Sequence, residues 1–165
     1  MRHADARWQD ASLSDLERPL SKRGQAAAEA MGRRLKALQL LPDLLLVSPA
    51  RRTEQTAEIL VRELALPVRR MVREEKLYLA GPAELLRIAQ ATAPRITHLL
   101  LLGHNPGLSE LVQQLAPDAG GAGLAAAALC SISFEGEGWG ELAAEKVRAV
   151  QREAPPASRL FGLLR

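Results

Sequence analysis

The sequence predicts an α/β fold of three layers, α/β/α, with a mostly parallel sheet covered by helices on both faces. Two observations predict it. Short apolar runs alternate with amphipathic helical stretches along most of the chain, the pattern of parallel strands joined by crossover helices. The chain, at 165 residues with 47% hydrophobic and 25% charged positions, also has the size of one domain spanning residues 1–165. A domain of that length buries roughly 70% of its unfolded surface and needs no metal or disulfide staple to fold.

The elements follow in chain order. Ser21–Leu38 reads as a helix: Ala28, Met31, Leu35 and Leu38 recur at spacings of three and four, and Ser21 is an N-cap residue type. Asp43–Val47 is a short apolar run flanked by turn residues, hence a buried strand. A second helix is expected over Arg52–Leu64, with Thr56, Leu60 and Leu64 on one face. Pro67–Val72 reads as a strand weakened by its arginines. Pro82 sits at the preferred first position of a helix whose buried face is Leu85, Leu86 and Ala89. Ile96–Leu102 is a further apolar strand, followed by a helix from Gly107 to Leu115. Ala125–Phe134 and Trp139–Val147 read as an antiparallel hairpin around the turn-rich Glu135–Gly138.

Composition narrows the function. Only five residues are aromatic, so a base-stacking platform for nucleic acid is not expected. The net charge of +3 suits a small anionic ligand better than a long polyanion. Pro42 and Asp43 interrupt Leu38–Val47, and Leu99–Leu102 is far too short to span a bilayer, so no membrane association is expected. No apolar leader stretch follows Met1, Arg2 and His3, and the single Cys130 forms no internal disulfide. Together these point to the cytoplasm. Three histidines and one cysteine form no metal-ligand spacing, so neither metal nor cofactor is expected.

Ligands of parallel α/β sheets bind beyond the carboxyl ends of the strands. Three segments meet that rule: Arg2–His3, Ser48–Arg52 and Gly103–Pro106. Each brings guanidinium or imidazole groups, and forked guanidinium donors match phosphate oxygens. Arg51 and Arg52 open a helix, where positive charge is unfavourable unless an anion shares the position. An imidazole with a free Nε2 can attack phosphorus, and a second imidazole can donate to an equatorial oxygen. His98 precedes the ligand-binding strand end and reads as structural.

These segments resemble a family. Met1-Arg2-His3-Ala4 is similar to the R-H-G/A signature of the histidine phosphatase (phosphoglycerate mutase-like) superfamily. Asp15-Leu16-Glu17-Arg18-Pro19-Leu20, followed by Arg23-Gly24, is similar to its D-x-x-R-P-L-x-x-x-G stretch. Ser48-Pro49-Ala50-Arg51-Arg52-Thr53-Glu54-Gln55-Thr56 resembles S-P-x-x-R-x-x-Q-T, and Gly103-His104-Asn105-Pro106 its G-H-N-P. The likeness covers about 100 residues in the right order and is closest to the short SixA-type phosphohistidine phosphatases, which lack the lid of the mutases.

The resemblance implies a phosphoglycerate mutase-like fold and a metal-independent phosphatase. His3 would be the nucleophile and form a phosphohistidine intermediate. Arg2, Arg52 and His104 would hold the phosphoryl oxygens, with Arg18 as an outer clamp. Ser48 and Gln55 would be scaffold. Neighbouring arginines would keep His3 neutral, and a backbone carbonyl on its Nδ1 would fix the tautomer. The implied substrate is phosphohistidine on a protein of the histidine phosphotransfer type. The alternatives are a small phosphate ester or an idle phosphate-binding module.

The sequence departs from the family in two places. An apolar strand precedes R-H-G/A in the family, whereas only Met1 precedes Arg2 here. The first strand is therefore expected to be shortened, with Met1–His3 as a stub and a free α-amino group beside His3. The favoured reading is a chain that starts inside that strand. The leaving-group acid, a Glu in related phosphomonoesterases, would be Glu75, with Glu74, Asp5 and Asp15 as alternatives. A phosphoramidate needs less proton donation than an ester, so a weak acid fits a phosphohistidine substrate.

Overall fold

The computed structural model describes residues 1–7, 12–119 and 123–156. Three short parallel strands lie in the order β2 (Met71–Arg73), β1 (Leu44–Val47), β3 (Leu99–Leu102). Leu44–Val47 pairs with Leu99–Leu102 throughout, and Leu45–Val47 with Met71–Arg73. Four helices cover this sheet: α1 (Lys22–Ala37), α2 (Arg51–Glu63), α3 (Pro82–Gln90) and α4 (Gly107–Leu115).

The period-two alternation of side chains along a strand decides which helix meets which residue. Leu45, Val47, Leu100 and Leu102 join Met31, Leu35 and Leu60 in one core, beneath α1 and α2. Leu46, with Leu44, Leu99 and Leu101, faces the other way into a core built by Leu85, Leu108, Leu111 and Leu115 of α3 and α4. The leucine-rich strands thus read as continuous apolar runs because both faces are buried. This is the three-layer α/β/α arrangement expected from the sequence.

The N-terminal residues form the stub of a fourth strand. His3 N–H donates to Gly103 O at 3.1 Å and Gly103 N–H to Met1 O at 3.2 Å, alongside β3. On its other side Arg2 N–H donates to Ala128 O at 3.0 Å. The stub therefore lies between the parallel sheet and an antiparallel pair, β4 (Leu129–Phe134) and β5 (Val147–Glu153). A cavity of about 240 Å³ lies between β3 and β4, lined by Leu99, Leu100, Leu129 and Cys130 among others. The Met1 ammonium is buried and donates to Leu101 O at 2.8 Å. Its electrostatic neighbour is Cys130, not His3 as expected from proximity in sequence.

Most element bounds agree with the sequence to within a residue or two. Ser21 caps α1, its Oγ accepting from Gly24 N–H at 2.9 Å. Four expectations need correction. Ala125–Phe134 is strand only from Leu129, because Ala128 N–H closes a turn on Ala125 O at 3.0 Å. Pro67–Val72 is not a strand throughout: Val68–Arg70 is a 3-10 turn closed by Arg70 N–H on Pro67 O, and β2 starts at Met71. β3 starts at Leu99 because the Thr97 and His98 N–H groups donate to the Asp43 carboxylate instead of a strand ladder. Trp139–Val147 is mostly two 3-10 turns, with β5 running on from Val147. Trp139 is held out of the ladder by Nε1–H on Ile96 O at 2.6 Å and by ring contact with Phe134 at 5.4 Å. Among the described residues, no helix is long and apolar enough to cross a membrane.

Candidate active site

The strand ends converge as the topology requires. The stub delivers Arg2 and His3, the end of β1 delivers Ser48, the first turn of α2 delivers Arg52, and the turn after β3 delivers His104. Arg2, His3, Arg52 and His104, together with Arg18 and Asn105, line a pocket of about 270 Å³, and Ser48 lies outside its lining. The His3 and His104 ring centroids are 5.1 Å apart.

His3 is held in one tautomer. Its Nδ1 lies 2.7 Å from Ala4 O, and since a carbonyl only accepts, Nδ1 carries the proton. Nε2 is therefore the bare nitrogen, and it receives Arg52 Nε–H at 3.3 Å. The His3 pKa is lowered to about 4, first by burial and then by Arg52, Arg2 and Arg18. The direction agrees with the sequence reading, but desolvation outweighs the arginines as its cause. His104 is lowered further, to about 3, again by burial first and then by His3 and Arg52. Both rings are neutral at pH 7.

Arg52 is the organising cation. It is only 2% exposed despite its charge. Nη2 donates to Asp15 Oδ2 at 2.8 Å and to His104 Nδ1 at 3.3 Å, and Nη1 to the Asp15 carbonyl. Arg51, one residue earlier on α2, is exposed and points elsewhere. Arg2 donates through Nη1 to Leu124 O at 3.1 Å, while its buried Nε has no protein acceptor. A buried guanidinium N–H directed beside neutral imidazoles is a donor suited to an anion's oxygen.

Three local devices hold this geometry. The Thr56 hydroxyl donates to Arg52 O at 2.6 Å and accepts from Ala4 N–H at 3.2 Å, tying α2 to the stub. Gln55 Oε1 accepts from Leu20 N–H at 2.8 Å, fastening the segment that carries Asp15 and Arg18. Gly24 lets α1 approach closely: a Cβ there would lie 2.0 Å from Asp5 O.

The carboxylates sort clearly. Asp15 accepts from Arg18 Nη2 at 2.6 Å, from Arg52 Nη2 and from Tyr78 OH, both at 2.8 Å. Despite opposing desolvation, those donors hold its carboxyl at about 2, so it carries no proton at neutral pH. Asp5 lines the pocket but accepts from Ser21 Oγ at 2.8 Å and pairs with Arg23 at 3.1 Å. Glu75 is exposed, bonded to Arg73 at 2.6 Å, and does not line the pocket. Glu74 accepts from the N–H of Lys76. The structure therefore brings Arg2, His3, Arg18, Arg52 and His104 together and leaves Glu75 outside.

Known proteins resemble this chain in sequence and in fold. The sequence profile of the histidine phosphatase superfamily (branch 1) matches residues 1–74. A Mycobacterium tuberculosis protein is 33% identical over 120 residues, covering 73% of this chain and 72% of its own length. The chain belongs to the histidine phosphatase superfamily. A chloroplastic relative from Arabidopsis thaliana is 32% identical over 123 residues, 70% of this chain but only 56% of the relative. Among solved structures, the protein histidine phosphatase SixA complexed with tungstate superposes with a TM-score of 0.76. It is 26% identical, and the match covers 94% of both chains. The superfamily fold is thus present.

Sequence reasoning missed two roles. Ser48, read as scaffold, places its Oγ 2.6 Å from His104 Nε2. Tyr78 sits edge-on to His104 at 5.6 Å and reaches Asp15, 63 residues away in sequence. Only the parallel pairing of β1 with β3, and the fold of the loop after β2, bring these partners together.

Proposed function

We propose that the chain is a single-domain, metal-independent phosphatase that removes the phosphoryl group from phosphohistidine on a protein, through a phosphohistidine intermediate at His3. The observation that carries this reading is the His3 tautomer: Nδ1–H is fixed on Ala4 O, leaving a bare, neutral Nε2 directed into a pocket of arginines. Arg2, Arg52 and His104 hold the phosphoryl oxygens, and Arg18 closes the outer side. Nε2 attacks phosphorus in line, the leaving group departs, and a water then attacks the phosphoenzyme from the vacated side. Guanidinium donors compensate the equatorial charge during both steps.

A protein substrate is supported by the acid inventory. Asp15 is ion-paired and deprotonated and Glu75 lies outside the pocket, so among the described residues Asp5, already engaged by Ser21 and Arg23, is the pocket carboxylate left to protonate an alkoxide. An imidazole leaving group has far less need of such an acid. The second reading, a small-molecule phosphomonoesterase, is favoured by Asp5, the pocket carboxylate nearest the stub.

The test is phosphate release from a phosphohistidine protein and from p-nitrophenyl phosphate in parallel, with chelator present and His3→Ala as control. Faster turnover of the phosphoprotein and an inactive variant support the proposal. Turnover confined to the ester removes the protein substrate and keeps the nucleophile. Equal rates with His3→Ala remove the nucleophile.

A further inference from the structure

The hydrogen bonds around His104 do not balance among the protein groups that face it. His104 Nδ1 faces Arg52 Nη2 at 3.3 Å, and a guanidinium only donates, so this contact requires a bare Nδ1. The neutral ring then carries its proton on Nε2 and donates it to Ser48 Oγ at 2.6 Å. Ser48 is fully buried, and among the described residues this imidazole nitrogen is the one partner of its hydroxyl. With Oγ as acceptor, the hydroxyl proton of Ser48 has no acceptor of its own. The alternative arrangement, in which Ser48 donates to a bare Nε2, sets Nδ1–H against an N–H of Arg52. One imidazole has one bare nitrogen, and two buried donors compete for it. Arg2 Nε, also buried and without a protein acceptor, is a second unmatched donor in the same pocket. Among the described residues these donors outnumber the acceptors they face.

We propose that entry of a phosphoryl group switches His104 from its Nε2–H to its Nδ1–H tautomer, with the Ser48 hydroxyl as the pivot. The switch rests on the reading of this pocket as a phosphoryl site. Phosphoryl oxygens accept from Arg52 and Arg2, which frees Nδ1 from its guanidinium donor. Nδ1–H then donates to a phosphoryl oxygen, and Ser48 turns to donate to the bare Nε2. Nε2 releases one proton to water and Nδ1 takes one from water, so the ring stays neutral and no bond to phosphorus changes. A hydroxyl can accept in the first state and donate in the second, which neither a carbonyl nor an ammonium can do. Ser48 is thus a positioning residue that acts through His104. It keeps the second imidazole a donor toward phosphate without the cost of protonating a buried ring.

The experiment is 15N NMR of the full chain with labelled histidine, titrated with inorganic phosphate. The expected result is that the bare nitrogen of His104 is Nδ1 without phosphate and Nε2 at saturation. Ser48→Ala is expected to bind phosphate about tenfold more weakly, the effect of one buried hydrogen bond lost in the bound state. Ser48→Thr, which keeps the hydroxyl, restores both the affinity and the shift. One tautomer in both states, a ring protonated on both nitrogens when phosphate is bound, or unchanged phosphate affinity in Ser48→Ala overturns the switch. In those cases saturable phosphate binding that is lost in Arg52→Ala leaves the phosphoryl site standing. Absence of phosphate binding overturns the site reading and the switch with it.

Discussion

Asp15 occupies the guanidinium groups that a phosphoryl group must use, so its replacement should move stability and ligand affinity in opposite directions. Its carboxylate accepts from Arg18, Arg52 and Tyr78, which lowers its pKa from 3.8 to about 2. A shift of that size has a ceiling of about 2.5 kcal/mol in favour of the charged, folded form. The side chain is 44% exposed, so solvent screening leaves about 1 kcal/mol. Asp15→Asn is therefore expected to lower the unfolding free energy by about 1 kcal/mol at pH 7, read from the urea midpoint. The same substitution removes a negative charge beside the phosphoryl position. At a separation of about 6 Å and an effective dielectric of about 50, that repulsion against a phosphate dianion is about 2 kcal/mol. Salt screening reduces it to about tenfold in affinity. Calorimetric titration with inorganic phosphate should show tighter binding in Asp15→Asn than in the native chain. Weaker binding together with lower stability would refute the reasoning, and would make Asp15 an organiser of the site rather than a competitor for its arginines.

Four further outcomes follow from the same geometry. The acid limb of the activity profile should fall near pH 4, the His3 value, and a limb centred near 6.5 would show a solvated nucleophile. Both His3 and His104 have folded-state values below their unfolded ones, so the unfolded chain binds more protons as pH falls. Stability should be full above about pH 6.5 and decline through 4 toward 3, and a flat urea midpoint over pH 4–6.5 would contradict this. Glu75→Gln should leave kcat within about twofold of the native value in a phosphatase assay, because Glu75 is exposed and bonded to Arg73, whereas a hundredfold loss typical of a catalytic acid would place it in the site. Gly24→Ala, which in an open helix would gain about 1 kcal/mol, should instead cost about 3 kcal/mol in thermal unfolding, since the new Cβ meets Asp5 O at 2.0 Å.

The helices and the apolar strands were legible because their signals are local. The three- and four-residue spacing of Ala28, Met31 and Leu35 predicts α1, and Pro82 marks the start of α3. The failures were tertiary. Trp139–Val147 has the composition of a strand, yet the Trp139 bond to Ile96 O diverts it into 3-10 turns. The start of β3 moved because Asp43, 54 residues away in sequence, captures the N–H of Thr97.

For the site, residue type and position at the strand ends were enough to gather Arg2, His3, Arg52 and His104, since a parallel sheet brings its carboxyl ends to one edge. The resemblance to the superfamily separated Arg52 from Arg51, and the fold agrees by burying one and exposing the other. What the linear chain could not carry is pairing between distant groups. Ser48 meets His104 across 56 residues and Tyr78 meets Asp15 across 63, so protonation states and bond partners were decided by strand register. The sequence by itself determined which chemical groups reach the pocket. Tertiary structure decided which nitrogen is bare, which carboxylate is already engaged and which donor still lacks an acceptor, because hydrogen bonds depend on distances that only the folded chain sets.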